Sequence, residues 1–222
     1  MTRDYLDANP SPMTLLPALT FGFVLGVRHA TDADHLAAVG TIATGGPSSR
    51  RAALVGAWWG LGHSASVLLV GGTLVLLRLP MPVRIALAFE FVVALMLIVL
   101  GVRSLLARRA DAPAPALRPL VVGIVHGLAG SAVLALLLIA TTDSALQAAI
   151  YLVCFCIGTT VGMAAVSALF ALPARLDARR ALTIERGVRV AAGIASIGIG
   201  VSIAHRVGIQ DGLFAAVPPT TP

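Results

Sequence analysis

Arg28-His29-Ala30-Thr31-Asp32-Ala33-Asp34-His35 interrupts an apolar run: Leu15 to Val27 are apolar or small, and Leu36 to Ala43 resume the pattern. An ionisable side chain at the centre of a bilayer costs about 2.5 to 3.5 kcal/mol on insertion scales. Two imidazoles, two carboxylates and an arginine in one short stretch therefore need compensation, and a bound cation would supply it.

The rest of the chain supports a membrane setting. Of 222 residues, 58% are hydrophobic and 12% charged, and the mean hydropathy is +0.93. These values lie outside the range of soluble globular domains. The 16 basic residues are all arginine, giving a formal net charge of +6. Membrane loops collect arginine for orientation, so this balance implies no nucleic-acid partner. Cys154 and Cys156 lie two residues apart, about 200° around a helix, and make neither a disulfide framework nor a chelate. Arg3, Asp4, Asp7, Pro10 and Pro12 ahead of the first apolar stretch do not read as a cleaved secretory signal.

Stretches of about 20 apolar residues, the length that a ~30 Å hydrocarbon core requires, predict membrane segments at 13 to 43, 52 to 77, 83 to 106, 119 to 140, 145 to 172 and 186 to 206. The expected fold is all-α: a polytopic membrane protein of six helices, with seven as the alternative count, in a single transmembrane domain over 1–222. The first segment is long for one straight crossing, so its polar centre is read as a break. Such a break is tolerated only where it lines a cavity. Arg50 and Arg51, then Arg103, Arg108, Arg109 and Arg118, then Arg175, Arg179, Arg180 and Arg186 fall on alternate connections. The positive-inside rule makes these connections cytoplasmic and puts the C-terminus outside and, with six crossings, the N-terminus outside too; a seventh crossing reverses only the N-terminus.

Laying Leu25 to Gly46 over Val122 to Asp143 aligns Gly26 with Gly123, His29 with His126, and Ile42-Ala43-Thr44 with Ile139-Ala140-Thr141, at an offset of 97. Gly62-His63-Ser64 falls near Gly158-Thr159-Thr160, and Gly101-Val102 near Gly200-Val201. Three segments thus repeat as three, in halves 13–106 and 119–206 joined by a cytoplasmic linker 107–118. An odd number of crossings per unit inverts the second copy, and transporters built this way bind their substrate between the repeats. Small residues four apart, at Gly22 and Gly26, Gly56 and Gly60, Gly123 and Gly127, and Gly158 and Gly162, let helices approach closely. His29, His63 and His126 sit on or beside those faces.

On a regular helix Asp32 lies between His29 and His35, about 60° from each, and Asp34 points away. A straight helix offers three ligands, and bringing in Asp34 requires local unwinding. Imidazole nitrogen and carboxylate oxygen without thiolate suit borderline divalent first-row ions. The Irving–Williams order places nickel above cobalt at such a site. A purely structural ion-pair network with Arg28 and a proton relay are the competing readings of the same residue types. No glutamate stands as in a helical His-Glu-x-x-His motif, so an enzyme is not expected.

Arg28 to His35 resembles closely the signature of the nickel/cobalt permeases, the NiCoT family of the NicO group. The resemblance implies that His29, Asp34 and His35, with Asp32 between them, recognise a metal ion within a membrane helix. Leu61-Gly62-His63-Ser64 resembles a second motif of that family and implies His63 as a contributor; Gly158 to Met163 resembles its glycine-rich later segment. Where the longer permeases carry Asp-Thr-Ala-Thr-Glu, this chain has His126-Gly127-Leu128-Ala129-Gly130-Ser131, which is similar to the shorter, urease-accessory-like branch. Efflux-type relatives often have a histidine-rich cytoplasmic loop; Ala107 to Arg118 contains no histidine, so uptake is expected.

The expectation is a secondary transporter of Ni(II), Co(II) or both in the cytoplasmic membrane, with metal-site residues His29, Asp32, Asp34, His35, His63 and His126. No resident cofactor is expected, since the ion is cargo. The partners are that ion, the lipid bilayer, a second copy of the chain or a nickel-enzyme maturation apparatus. The alternatives are an accessory protein for nickel-enzyme maturation and a proton-coupled exporter of a small anion held by Arg28. Glu90 is read as a proton or cation relay or as half of an arginine pair, His205 as interfacial, and Asp143 as a cap.

Overall fold

Apolar runs without interior polar breaks become long helices because a bilayer forces every backbone N–H and C=O to pair within its own segment. The computed structural model describes residues 12–42, 48–106, 117–141, 144–172 and 178–215, and the side chains of 12–15, 18, 131–141 and 178–181 are outside that description. The described residues form helices and no strand: α1 (Pro12–His29), α2 (Ala33–Ile42), α3 (Ser49–Ser66), α4 (Gly72–Leu77), α5 (Val83–Leu106), α6 (Leu117–Thr141), α7 (Ala145–Phe170) and α8 (Ala178–His205). A wide π turn, Val67–Gly71, joins α3 to α4, and a second, Arg206–Gln210, ends α8. Asp143, Arg175, the greater part of the connection Ala107 to Arg118, and the N-terminal residues through Ser11 lie outside the described residues.

The protein is an all-helical polytopic membrane protein. Four segments, Ser49–Leu77, Val83–Leu106, Ala145–Phe170 and Leu182–Gln210, are long and apolar enough to cross a bilayer, and Leu117–Gly130 is a shorter apolar helix. Leu69, Val99, Ile157 and Val201 are exposed, while Ser64, Ser66, Thr159 and Ser196 are buried. Apolar outside and polar inside is the distribution expected when lipid rather than water is the solvent.

The break in the first segment falls where the sequence reading puts it. The Thr31 hydroxyl donates to the Arg28 carbonyl at 2.6 Å, and the amides of Thr31 and Asp32 bond to the carbonyls of Arg28 and His29. Threonine and aspartate offer the backbone such local alternatives to the helical ladder. The chain turns through Ala30 to Asp32 and restarts as α2, whose first turn carries Asp34. A helix N-terminus stabilises a carboxylate there through its unpaired amides.

α1 packs on α7, α6 on α3, α3 on α7, and α5 on α8, while α2 is wedged against α5, α7 and α8. Interhelical hydrogen bonds pin these pairs: Ser64 to the Cys156 carbonyl, Ser66 to the Ile124 carbonyl, and Ser196 to the Leu97 carbonyl. The glycines make the close approaches. A Cβ on Gly26 would meet the Phe155 carbonyl and Thr159 amide of α7, and one on Gly123 the Trp59 carbonyl and His63 amide of α3. Likewise Gly101 faces Gly193 and Ile197, and Gly200 faces Ala94 and Ile98.

Candidate metal centre

The break between α1 and α2 turns His29, Asp34 and His35 toward α3 and α6, where His63 and His126 meet them. Ring centroids lie 4.4 Å apart for His29 and His35, 5.3 Å for His29 and His63, 5.4 Å for His35 and His63, and 4.2 Å for His35 and His126. Trp59 stands 5.5 Å from His35 and Phe155 stands 5.3 Å from His29, walling the cluster with apolar rings. His35, His63 and His126 are buried.

Two overlapping groups emerge. Ligand atoms of His29, His35 and His63 lie within 4.8 Å of one another, and so do those of Asp34, His35 and His126. His35 belongs to both. The two aspartates have different surroundings. Asp34 Oδ1 pairs with His35 Nδ1 at 3.0 Å and accepts the His35 amide at 2.9 Å, while Oδ2 pairs with His126 Nε2 at 3.0 Å. Asp32 is half-exposed and holds His29 Nδ1 at 2.8 Å.

A carboxylate only accepts, so each paired imidazole nitrogen carries the proton and donates. That places the lone pair on the other ring nitrogen. His35 Nε2, His126 Nδ1 and both nitrogens of His63 are buried and have no hydrogen-bond partner among the described residues. Buried polar atoms are normally paired, so imidazole nitrogens left unpaired among the described residues are places for water or a bound ion. Carboxylate–histidine pairs of this kind orient metal-binding imidazoles.

Of the residues the sequence singles out, His29, Asp34, His35, His63, Glu90 and His126 line one cavity of about 220 Å³. Asp32 touches the cluster through His29. Arg28 and His205 are exposed, and neither lines that cavity. Glu90 pairs with Arg206 at 2.9 Å, one of the two readings its sequence allowed. The walls Trp59 and Phe155 and the partner Arg206 carry no signal in sequence, since nothing local links them to the histidines. His126 shows one, its match to His29 across the repeat.

Residues 16–110 match the NicO family, described as high-affinity nickel-transport protein. Over 219 residues, 90% of this chain and 96% of the relative, the sequence is 32% identical to urease accessory protein UreH of Bacillus sp. (strain TB-90). It is also similar to two chloroplast proteins of Arabidopsis thaliana, FOR GROWTH AND FERTILITY 2 and 1, at 27% and 24% identity over 82% of this chain, which spans 54% and 57% of their lengths. No solved structure matches the chain. The likeness to UreH runs nearly end to end in both proteins, and the Arg28 to His35 signature lies inside the family match. The chain therefore belongs to the NicO nickel-transport family, in its short, urease-accessory-like branch.

Proposed function

We propose that the protein is a secondary transporter that moves Ni(II), and Co(II) by the same ligand set, inward across the cytoplasmic membrane through the histidine cluster. The observation carrying this reading is the set of imidazole nitrogens on His35, His63 and His126 that are unpaired among the described residues and buried around one cavity, with His35 and His126 oriented by Asp34. His29, His35 and His63 take the ion as one group, and His35 and His126, both oriented by Asp34, take it as the next, with His35 passing it between them. Asp32 and Asp34 hold His29, His35 and His126 in the ligating tautomer. Their two negative charges offset the charge of a divalent ion, which an apolar interior otherwise disfavours strongly.

The paired glycine contacts support a 3+3 inverted repeat with halves 13–106 and 119–206. Gly26 meets α7 as Gly123 meets α3, Gly101 meets α8 as Gly200 meets α5, and Ser64 and Thr160, equivalent in the repeat, touch at 3.1 Å. Rocking of two such halves about the central α3–α7 contact would expose the cluster to alternate sides.

Radioactive nickel uptake at matched expression tests the reading. The parent accumulates nickel, and His35→Ala and Asp34→Asn do not; equal accumulation in all three would remove the metal role. The likeness to a urease accessory protein favours a second reading, in which the chain serves nickel-enzyme maturation without forming a complete pathway. Nickel flux into liposomes holding only the purified protein supports transport, and nickel binding without flux supports the accessory role.

A further inference from the structure

The cavity reaches beyond the histidines. Glu90 lines it from α5 and Arg206 from the end of α8, and its remaining walls, Val93, Ala129, Gly130 and Ile203, offer no side-chain ligand atom. Arg206 Nη2 donates to Glu90 Oε2 at 2.9 Å, and Arg206 Nε lies 3.8 Å from Asp211 Oδ2. Exposure rises along the cavity from 1% at the His35 side chain to 27% at Glu90 and 55% at Arg206. The ion pair therefore stands at the open end.

This pair is not what holds α5 and α8 together. The Ser196 hydroxyl already bonds the Leu97 carbonyl, and Gly200 packs on Ala94. Past α8 the chain reverses at Gly212, whose φ of +75° suits glycine, and hooks back over α5. There Phe214 meets Phe91 edge to face at 5.2 Å, and Arg84 donates to the Ala215 carbonyl at 2.9 Å. An ion pair that is redundant for packing, partly exposed and weakly held for that reason can be displaced by a ligand.

We propose that Glu90 is an outer binding station for the divalent cation, occupied in the ion-free protein by the Arg206 guanidinium as a tethered stand-in. A guanidinium keeps its charge at every accessible pH, so the carboxylate is released by displacement. A divalent ion brings twice the charge to Glu90, and Asp211 offers Arg206 a second carboxylate to turn to. Arg206 sits on a π turn, an irregularity common at functional sites. Glu90 then draws hydrated ions into a cavity with room for several waters, and Arg206 sets the threshold a cation must pass.

This inference rests on the transport reading, and the test separates the two. Nickel flux into liposomes and nickel affinity in detergent are measured for the full-length parent, Glu90→Gln and Arg206→Gln. Glu90→Gln lowers the initial flux at sub-saturating nickel about tenfold, the lower end of electrostatic focusing effects, and flattens its dependence on ionic strength, while affinity at the histidines is unchanged. Arg206→Gln raises that flux and admits magnesium as a competitor. Opposite signs identify a station and its guard. Equal losses of flux and melting temperature in both variants would make the pair a structural tie, and unchanged flux in Glu90→Gln would equally overturn the station. If the parent itself bound no nickel, the transport reading would fall first.

Discussion

Asp34 and His126, 92 residues apart in the chain, meet at 3.0 Å between α2 and α6. The same carboxylate holds His35 through its other oxygen. One residue thereby sets the proton positions of two imidazoles, and it reaches both because the first membrane segment is broken at Ala30 to Asp32. A continuous helix would carry Asp34 to another face.

Asp34→Asn keeps the shape of this link and removes its charge. An amide presents one acceptor and one donor, so one of the two imidazoles must reverse its tautomer and turn a proton toward the ion. Nickel affinity measured by calorimetry falls about 10- to 100-fold, the usual effect of losing an orienting carboxylate. An affinity equal to the parent's would show that the carboxylate neither orients nor balances charge.

His63→Leu is expected to separate stability from function. Both ring nitrogens of His63 are buried without a partner among the described residues, and an unpaired buried atom costs about 1–3 kcal/mol. An apolar side chain of similar bulk removes that cost. The metal-free variant melts higher than the parent and loses the upward shift in melting temperature that nickel gives the parent. A variant that melts lower and keeps the nickel shift would place His63 outside the ligand set.

Acid opposes binding. Nickel and protons compete for the same imidazole lone pairs, so the nickel dissociation constant rises as pH is lowered. Titration at fixed ionic strength checks the sign; tighter binding in acid would point to ligation by groups other than imidazole.

The close helix contacts predict a contrast among glycines. Gly26→Ala and Gly123→Ala push a methyl into the backbone of α7 and α3 respectively, and each costs about 1–3 kcal/mol of overpacking. Gly187→Ala and Gly198→Ala meet nothing within 4 Å among the described residues and stabilise their helix by about 0.5–1 kcal/mol. Thermal melts in one detergent rank the four, and similar losses at positions 26 and 123 are the outcome an inverted repeat requires.

Much of the architecture was legible in sequence because membrane helices are selected by a one-dimensional property, the length of an apolar run. The six stretches expected from Met13 to Arg206 all contain helix, and the π turns inside the second and beyond the sixth do not alter hydropathy. The broken first segment was legible too, since Thr31, Asp32 and Asp34 cannot sit in a lipid-facing helix without a local reason. The unequal surroundings of the aspartates were not. Helical angles place Asp32 between the histidines, and the turn at Ala30 to Asp32 leaves it half-exposed while sending Asp34 to His126.

Residue order alone determined the membrane class, the positions of the apolar helices, the polar break and the chemical type of the side chains gathered there, because each follows from local composition and the cost of charge in hydrocarbon. Tertiary structure decided that His63 and His126 join His29 and His35 in one cavity, that Asp34 sets two of their tautomers, and that Arg206 meets Glu90. Those are contacts between helices about 30 to 120 residues apart along the chain, and the glycine faces that let the helices close to contact distance are what bring them about.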